Sequence, residues 1–453
     1  MTSWFSSLLY LAVYVLALAD ALFHLPSMRT AAVVVLGLFI VLEIGRTART
    51  PLLVGGLLTA AGVGIGFSQG AAADVLTNGL ARTLPFLLLF GSVAWLQVAA
   101  AESPTLRATR DTVMSQPPGR RYLILSVAAH GLGSVFNLAG ISLLAAMVGQ
   151  QKDRILRMRL SRAMVHGFGS SAAWSPLFVG AAVILAVLPE VRWIEIAPFG
   201  MGLATVFIAL TWSMDRLANP RKVAGAQAVL PVPFPAWARR RLVVIVAALF
   251  VAVISLVEAG GFTIPIAIGL IAPAYALLWR ASRATNVVNA IHVAGQMSSR
   301  IVKSLSTLRG EAILFSGANI FGTGISAAVG PDDARRVIES VHLTPEAGLM
   351  LLAVGIVVCG AVGLHPVILI VLVGHVIPPS VLGVEPQTLA VLLMASWGLS
   401  TNISPISATS LFMARVTGES VFRVAWQWNA PFCLIAAAIV GIAAIAIHRL
   451  GVF

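Results

Sequence analysis

The residues of this chain that could do chemistry are mostly hydroxyls and amides. Ser400, Thr401, Asn402, Ser404, Ser407 and Thr409 crowd behind Gly398, with Pro405 among them, in a segment that is otherwise apolar. A proline within a helix removes an N–H donor, and its ring opposes the carbonyl one turn earlier, so carbonyls near Ser400 and Thr401 are expected to be released. Released carbonyls and hydroxyls are hard oxygen ligands that suit a dehydrated sodium ion. The N-terminal end of the half-helix that follows suits an anionic group. A second stretch carries Gly169, Ser170, Ser171, Ser175 and Pro176 in a similar order, with Trp174 where the other has Ile403. An isolated Ser or Thr in a membrane helix commonly bonds a neighbour's backbone or permits close packing. Density and duplication are what point to a binding site.

Elements that position such stretches must lie in a membrane. Hydrophobic residues make up 58% of the chain and charged residues 10%, with a mean hydropathy of +0.94, whereas a soluble chain carries about a quarter charged residues. The basic residues behind the net charge of +13 are spread along the chain among the loops between apolar segments, which argues against a nucleic-acid partner. Cys359 and Cys433 sit in apolar runs and offer neither a disulfide framework nor a zinc pattern.

A window matched to about 30 Å of hydrocarbon predicts crossings near 4–23, 30–45, 51–68, 84–101, 163–187, 196–214, 241–259, 262–279, 311–329, 387–413 and 424–447. Segments 121–149 and 347–379 are long and broken by glycines, so each is expected to be a re-entrant hairpin. This arrangement puts 24 of the 30 Lys and Arg residues on one side. By the positive-inside rule that side is the cytoplasm, with the N-terminus inside and the C-terminus outside. Segment 4–23 lacks a basic leader and a small-residue cleavage site, and so reads as a membrane helix.

The two serine-rich stretches align at a separation of 229, pairing Gly169 with Gly398, Ser171 with Ser400, Ser175 with Ser404 and Pro176 with Pro405. Upstream, Gly133 pairs with Gly360, Val135 with Val362 and Ile141 with Ile368 at 227. Five crossings per half is odd, so successive copies face opposite ways, the inverted-repeat plan of many secondary transporters. The expected fold is all-α and polytopic. An extra helix spans 1–29, a first repeat covers 30–225 with hairpin 121–149 and broken helix 163–187, and a second covers 226–453 with hairpin 347–379 and broken helix 387–413.

The expected solute-binding set is Ser170, Ser171, Ser175, Ser400, Thr401, Asn402, Ser404, Asn137 and His365. Candidate sodium ligands are Ser134, Asn137, Gly363, Ser171, Ser400 and Ser404. His130, His166 and His365 are candidate proton carriers as well as candidate structural residues, and Asn319 could face the site or a packing partner. All 17 Asp and Glu residues, including Asp20, Glu43, Glu258 and Glu311, fall in loops or near segment ends. Buried carboxylates are the usual proton relays, so their absence from segment centres favours sodium coupling. Segments 151–162 and 298–309 place apolar residues at helical spacing against basic ones, as interfacial helices do; a solvated basic loop is the other reading of the first.

Hairpin, broken helix and repeat together resemble the ion transporter superfamily of divalent-anion/sodium symporters, arsenite and NhaD-type antiporters and TRAP large membrane subunits. The segment Leu382 to Ala414, LGVEPQTLAVLLMASWGLSTNISPISATSLFMA, looks like the TRAP and citrate-type pattern. The resemblance implies a dimeric scaffold and a mobile transport domain that works as an elevator. The tips GSVFN and GLHP lack the Ser-Asn-Thr motif of the dicarboxylate symporters, and the aspartate of NhaD-like antiporters is missing, so the solute does not carry over. The expectation is a secondary transporter of a small anionic solute, sodium-coupled, without a cofactor and not an enzyme. It would be homodimeric and sit in a bacterial inner membrane; an accessory solute-binding protein is conceivable but not indicated. The alternatives are a membrane-embedded enzyme acting on a lipid-linked substrate and a proton-coupled antiporter or exporter.

Overall fold

In a computed structural model the described residues are 3–219, 232–284 and 286–453, and every element among them is helical. Among the described residues nine helical segments are long and apolar enough to cross a membrane: Trp4–Phe23, Pro26–Arg46, Arg49–Ser68, Ala72–Ala101, Trp193–Ala218, Ala236–Glu258, Ile264–Ala281, Pro386–Thr417 and Arg423–Arg449. The chain is an integral membrane protein. Two of the eleven expected crossings take another form. Segment 311–329 is the helix Arg309–Ala328, a continuation of the run that starts at Val287. Segment 163–187 is split between Arg154–Ser171, which opens with a run of arginines, and the short Val179–Val187. The boundary at 225/226 between the expected repeats lies outside the described residues.

Some expectations are corrected. Segment 151–162 is not a separate interfacial arm. From Arg154 it forms the first turns of the first broken helix, because Arg154 and Arg159 find carboxylate partners in Glu419 and Asp215 at 2.8 Å each. The crossing at 84–101 begins earlier, at Ala72, and runs through Pro85, which places Arg82 within a helix rather than in a loop. Two amphipathic helices were not foreseen, Pro104–Met114, capped by Ser103, and Pro331–Ser340.

The chain divides into two compact units, each drawing on both halves of the sequence. Unit 1 comprises Met1–Ala99, Ala247–Val341 and Val371–Val381; unit 2 comprises Ala100–Val246, His342–Ile370 and Leu382–Phe453. In unit 1 the helices Arg49–Ser68 and Arg309–Ala328 pack backbone to backbone. A Cβ on Gly317 would strike the carbonyl oxygen of Gly55, and one on Gly62 would lie 2.6 Å from that of Ile320. Small residues are how membrane helices approach closely where no hydrophobic effect drives them together. Around this pair lies a core of Tyr10, Leu36, Phe39, Leu87, Leu88 and Ala312. Asn319 is a packing residue there, donating to Phe315 O at 2.9 Å and to Thr83 Oγ1 at 3.4 Å.

Unit 2 holds both broken helices. The first has limbs Arg154–Ser171 and Val179–Val187, and the second has limbs Pro386–Ile403 and Ala408–Thr417. Upstream of each break a helix ends at or beside a residue of positive φ. Pro118–Phe136 ends at Asn137, with φ of 52°, and the short helices Leu138–Ser142 and Ala145–Gly149 return. Pro345–Ala361 ends before Gly363, with φ of 94°, and Pro366–Val376 follows. Positive φ is open to glycine and tolerated by asparagine, which explains why these residue types occupy the two positions.

Candidate functional site

The site can be built from the two breaks. A helix interrupted in a membrane must have its freed backbone groups satisfied by protein. At the first break, Asn137 Nδ2 donates to Leu177 O at 3.1 Å and Trp193 Nε1 donates to Trp174 O at 2.7 Å. At the second, Asn429 Nδ2 donates to Asn402 O at 3.1 Å. The Ser400 carbonyl, expected to be released by Pro405, instead accepts from Ser404 N at 3.1 Å. Pro405 removes only the donor that would reach the Thr401 carbonyl four residues back, so the bond to Ser400 O is kept.

The hydroxyls of the first half are all engaged. Ser134 donates to Gly131 O, Ser170 to Gly167 O and Ser171 to Phe168 O, at 2.9, 2.7 and 2.6 Å. Ser175 donates to Ser134 O at 2.5 Å and accepts from Leu177 N at 3.2 Å. His130 Nε2 accepts from Trp174 Nε1 at 3.1 Å, so the proton of a neutral ring sits on Nδ1, which faces Ser170 Oγ at 2.9 Å. Ser170 therefore has both a donor and an acceptor partner.

The second half differs. Ser396 Oγ, Ser400 Oγ and both amide atoms of Asn402 are buried without a hydrogen-bond partner, and all three residues are fully enclosed. An unpartnered buried polar group costs about 1–3 kcal/mol. Ser400 lies against Gly360, and Asn402 lies against Gly169. Thr401 donates to Gly398 O at 2.9 Å, and buried Ser404 precedes Ser407, whose side chain caps Ala408–Thr417. His365 accepts from Val367 N at 3.2 Å and stands edge-on to Trp397, 5.9 Å between ring centroids. Gly363, with its positive φ, lies beside Ile406. The expected site residues thus share unit 2. Those of the first half are bonded to their own backbone, and the unpartnered groups belong to the second.

Close contacts repeat between the halves. Gly133 lies against Phe168 and Ser171, and its counterpart Gly360 lies against Ser400, the counterpart of Ser171. Gly169 and Gly398, which are counterparts themselves, meet each other.

A polar chain missed in the sequence ends at the second break. Tyr122 Oη and Thr211 Oγ1 are 2.7 Å apart, Thr211 Oγ1 and His166 Nδ1 2.6 Å, and His166 Nε2 and Asn429 Oδ1 3.1 Å. Asn429 then holds Asn402 O. Since Asn429 Oδ1 can only accept, His166 Nε2 carries the proton, Nδ1 accepts from Thr211, and Thr211 in turn accepts from Tyr122. His166 is stacked on Phe432 at 3.9 Å. Asn429 closes a π-helical turn, Arg423–Asn429, a form often found at functional positions. An asparagine in the apolar run after 423 was the available signal. Nearby, Glu419 accepts from Arg154 at 2.8 Å and from Arg423. These two guanidinium groups hold its carboxyl below the usual range.

No family model matches the chain, and no curated protein matches it in sequence. Two solved transporters resemble it in fold. MtrF of Neisseria gonorrhoeae, described as illuminating a class of antimetabolite efflux pumps, is 11% identical with a TM-score of 0.51. The match covers 83% of this chain and 85% of that one. The YdaH transporter of Alcanivorax borkumensis is 12% identical with a TM-score of 0.49, over 78% of this chain and 84% of that one. At these identities the MtrF likeness establishes that the chain shares the fold of a membrane transporter.

Proposed function

We propose that this protein is a secondary transporter of a small anionic solute, coupled to sodium, whose binding site lies at the broken helices of unit 2. The observation that carries this reading is the set of buried, unpartnered polar atoms on Ser396, Ser400 and Asn402 beside the break. A fold retains groups of that kind at a cost, and a bound ligand that satisfies them offsets it. The N-termini of Val179–Val187 and Ala408–Thr417 supply partial positive charge for an anion, and hydroxyl and amide oxygens suit sodium. The solved structures of similar fold belong to transporters, which supports transport over an enzymatic role.

In this scheme the protein follows the inverted-repeat plan, and unit 2, with both breaks, is the moving body of an elevator while unit 1 is the scaffold of a homodimer. It sits in a bacterial inner membrane with the N-terminus cytoplasmic and the C-terminus periplasmic. The superfamily named from the sequence motifs is one source of this scheme; the pump class named for MtrF adds export as a direction to test. The chain Tyr122–Thr211–His166–Asn429–Asn402 favours a second reading, in which a proton rather than sodium is the coupling ion and His166 carries it.

Proteoliposomes of the purified protein, loaded with pools of small carboxylate and phosphate solutes, distinguish these readings. Solute flux driven by an imposed sodium gradient and lost in Asn402→Ala supports the first. Flux that ignores sodium, follows a pH gradient and is lost in His166→Gln supports the second. Absence of gradient-driven flux for every pool rejects both.

A further inference from the structure

The exposed face of the helix Val287–Ser304 in unit 1 carries a second feature, independent of the breaks. It holds a groove of about 620 Å³ lined by Ile291, His292, Gln296, Ser299, Arg300 and Lys303, with exposed Gly295 among them. The face is graded along its length. Val287, Val288 and Ile291 are 74%, 75% and 68% exposed at the N-terminal end, while exposed Arg300 and Lys303 close the C-terminal end. His292 and Gln296, joined at 2.8 Å, lie between the apolar and cationic ends. The opposite face, with Met297 and Ile301, is buried, and the helix contains no acidic residue.

From Val288 to Lys303 is about 22 Å at 1.5 Å per residue, on the order of a headgroup and the upper part of an acyl chain. A free anion would use only the cationic end, and a zwitterionic lipid would set its ammonium against Arg300 and Lys303 without any carboxylate on the helix to receive it.

We propose that this groove is a binding site for an anionic phospholipid, with its phosphate at Arg300 and Lys303 and its acyl chains along Ile291, Val288 and Val287. Gly295 is what leaves room for the glycerol region. A Cβ there would meet nothing within 4 Å, so a larger side chain fits without disturbing the helix and fills the groove. The site goes beyond the transport reading and does not depend on it.

Native mass spectrometry of the intact protein, released from mixed phosphatidylglycerol and phosphatidylcholine bilayers, tests the proposal. The wild type should retain phosphatidylglycerol preferentially. Arg300→Gln and Lys303→Gln should each reduce that preference about fivefold, the equivalent of one surface charge against an anionic headgroup. Gly295→Leu should reduce retention of the lipid with all charges kept, and Arg335→Gln with Arg336→Gln, remote on another helix, should change nothing. Inorganic phosphate should not displace the bound lipid. The proposal is overturned if Arg300→Gln, Lys303→Gln and Gly295→Leu all retain the wild-type preference, if the Arg335 and Arg336 substitutions abolish it equally, or if phosphate alone displaces the lipid.

Discussion

Gly169 and Gly398 touch: a Cβ on Gly398 would collide with the carbonyl oxygen of Gly169. They occupy the same place in the two serine-rich stretches, 229 residues apart. Contact between counterparts is what a two-fold axis through the crossing of two broken helices produces. The crossing also sets what the neighbours can be, since Asn402 lies against Gly169 and Ala172 against Gly398.

Replacing either glycine with alanine should therefore destabilise unit 2. Overpacking against backbone costs about 1–3 kcal/mol, more than the roughly 0.5–1 kcal/mol that alanine gains over glycine in a helix. Gly202→Ala is the control, since nothing lies within 4 Å of its added methyl, and it should be neutral or slightly stabilising. Thermal unfolding in detergent measures all three. Equal stability of Gly398→Ala and Gly202→Ala would mean the helices do not cross at this point.

The unpartnered amide makes an opposite prediction for stability. Asn402 and Ser400 keep polar atoms out of water without hydrogen bonds, so Asn402→Ala and Ser400→Ala should unfold at the wild-type temperature or above it. Transport should nonetheless fall, by about tenfold or more in apparent affinity if one ligand bond worth about 1.4 kcal/mol is lost. Wild-type transport in both variants would remove the second break from the site. A first-half counterpart such as Ser171→Ala, whose hydroxyl is already bonded to Phe168 O, should affect transport less.

Much of this arrangement was legible in the sequence. Serine, proline and glycine at fixed spacing mark both breaks, and glycine-broken apolar runs contain the helix ends at Asn137 and Gly363. These features depend on local backbone chemistry, which residue type reports directly. What was not legible depended on distant partners. The inequality of the two halves follows from which hydroxyls find carbonyls, and Ser171 and Ser400 look alike until Phe168 O is seen to accept from one of them. The arginine run after 153 read equally well as an arm or a loop, because Glu419 and Asp215, its partners, are 265 and 56 residues away from Arg154 and Arg159. Asn429 and His166 lie 263 apart and could be joined only by the fold.

Glu43 gives a stability prediction for unit 1. Its side chain is fully buried and holds Arg46 at 3.0 Å, Arg309 at 2.8 Å and the hydroxyl of Ser6. Removing one partner of a buried ion cluster costs about 3–5 kcal/mol, because the remaining charge is left uncompensated. The two arginines are partly exposed and can turn toward water, so Glu43→Ala is expected at the lower end, about 3 kcal/mol. Arg46→Gln leaves Arg309 in place and should cost much less. A loss for Glu43→Ala no larger than for Arg46→Gln, measured by denaturant unfolding, would reduce the cluster to a surface pair.

The Glu419 cluster ties stability to pH. Arg154 and then Arg423 hold the Glu419 carboxyl below its ordinary value. A carboxyl depressed in the folded state contributes stability that is present above its unfolded pKa and lost as pH falls through the folded one. The wild type should therefore lose stability on acidification below the ordinary glutamate range, about 4.3, by a margin that Glu419→Gln does not show. The difference between the two should be largest at neutral pH and shrink toward acid, and high salt should reduce it because the guanidinium groups are partly exposed. Because Arg154 begins the first broken helix and Glu419 follows the distal limb of the second, limited proteolysis near 150–154 reports the same event. Cleavage there should increase in acid for the wild type and be high at every pH for Glu419→Gln. A pH-independent difference between the two proteins would show that Glu419 acts through its shape rather than its charge.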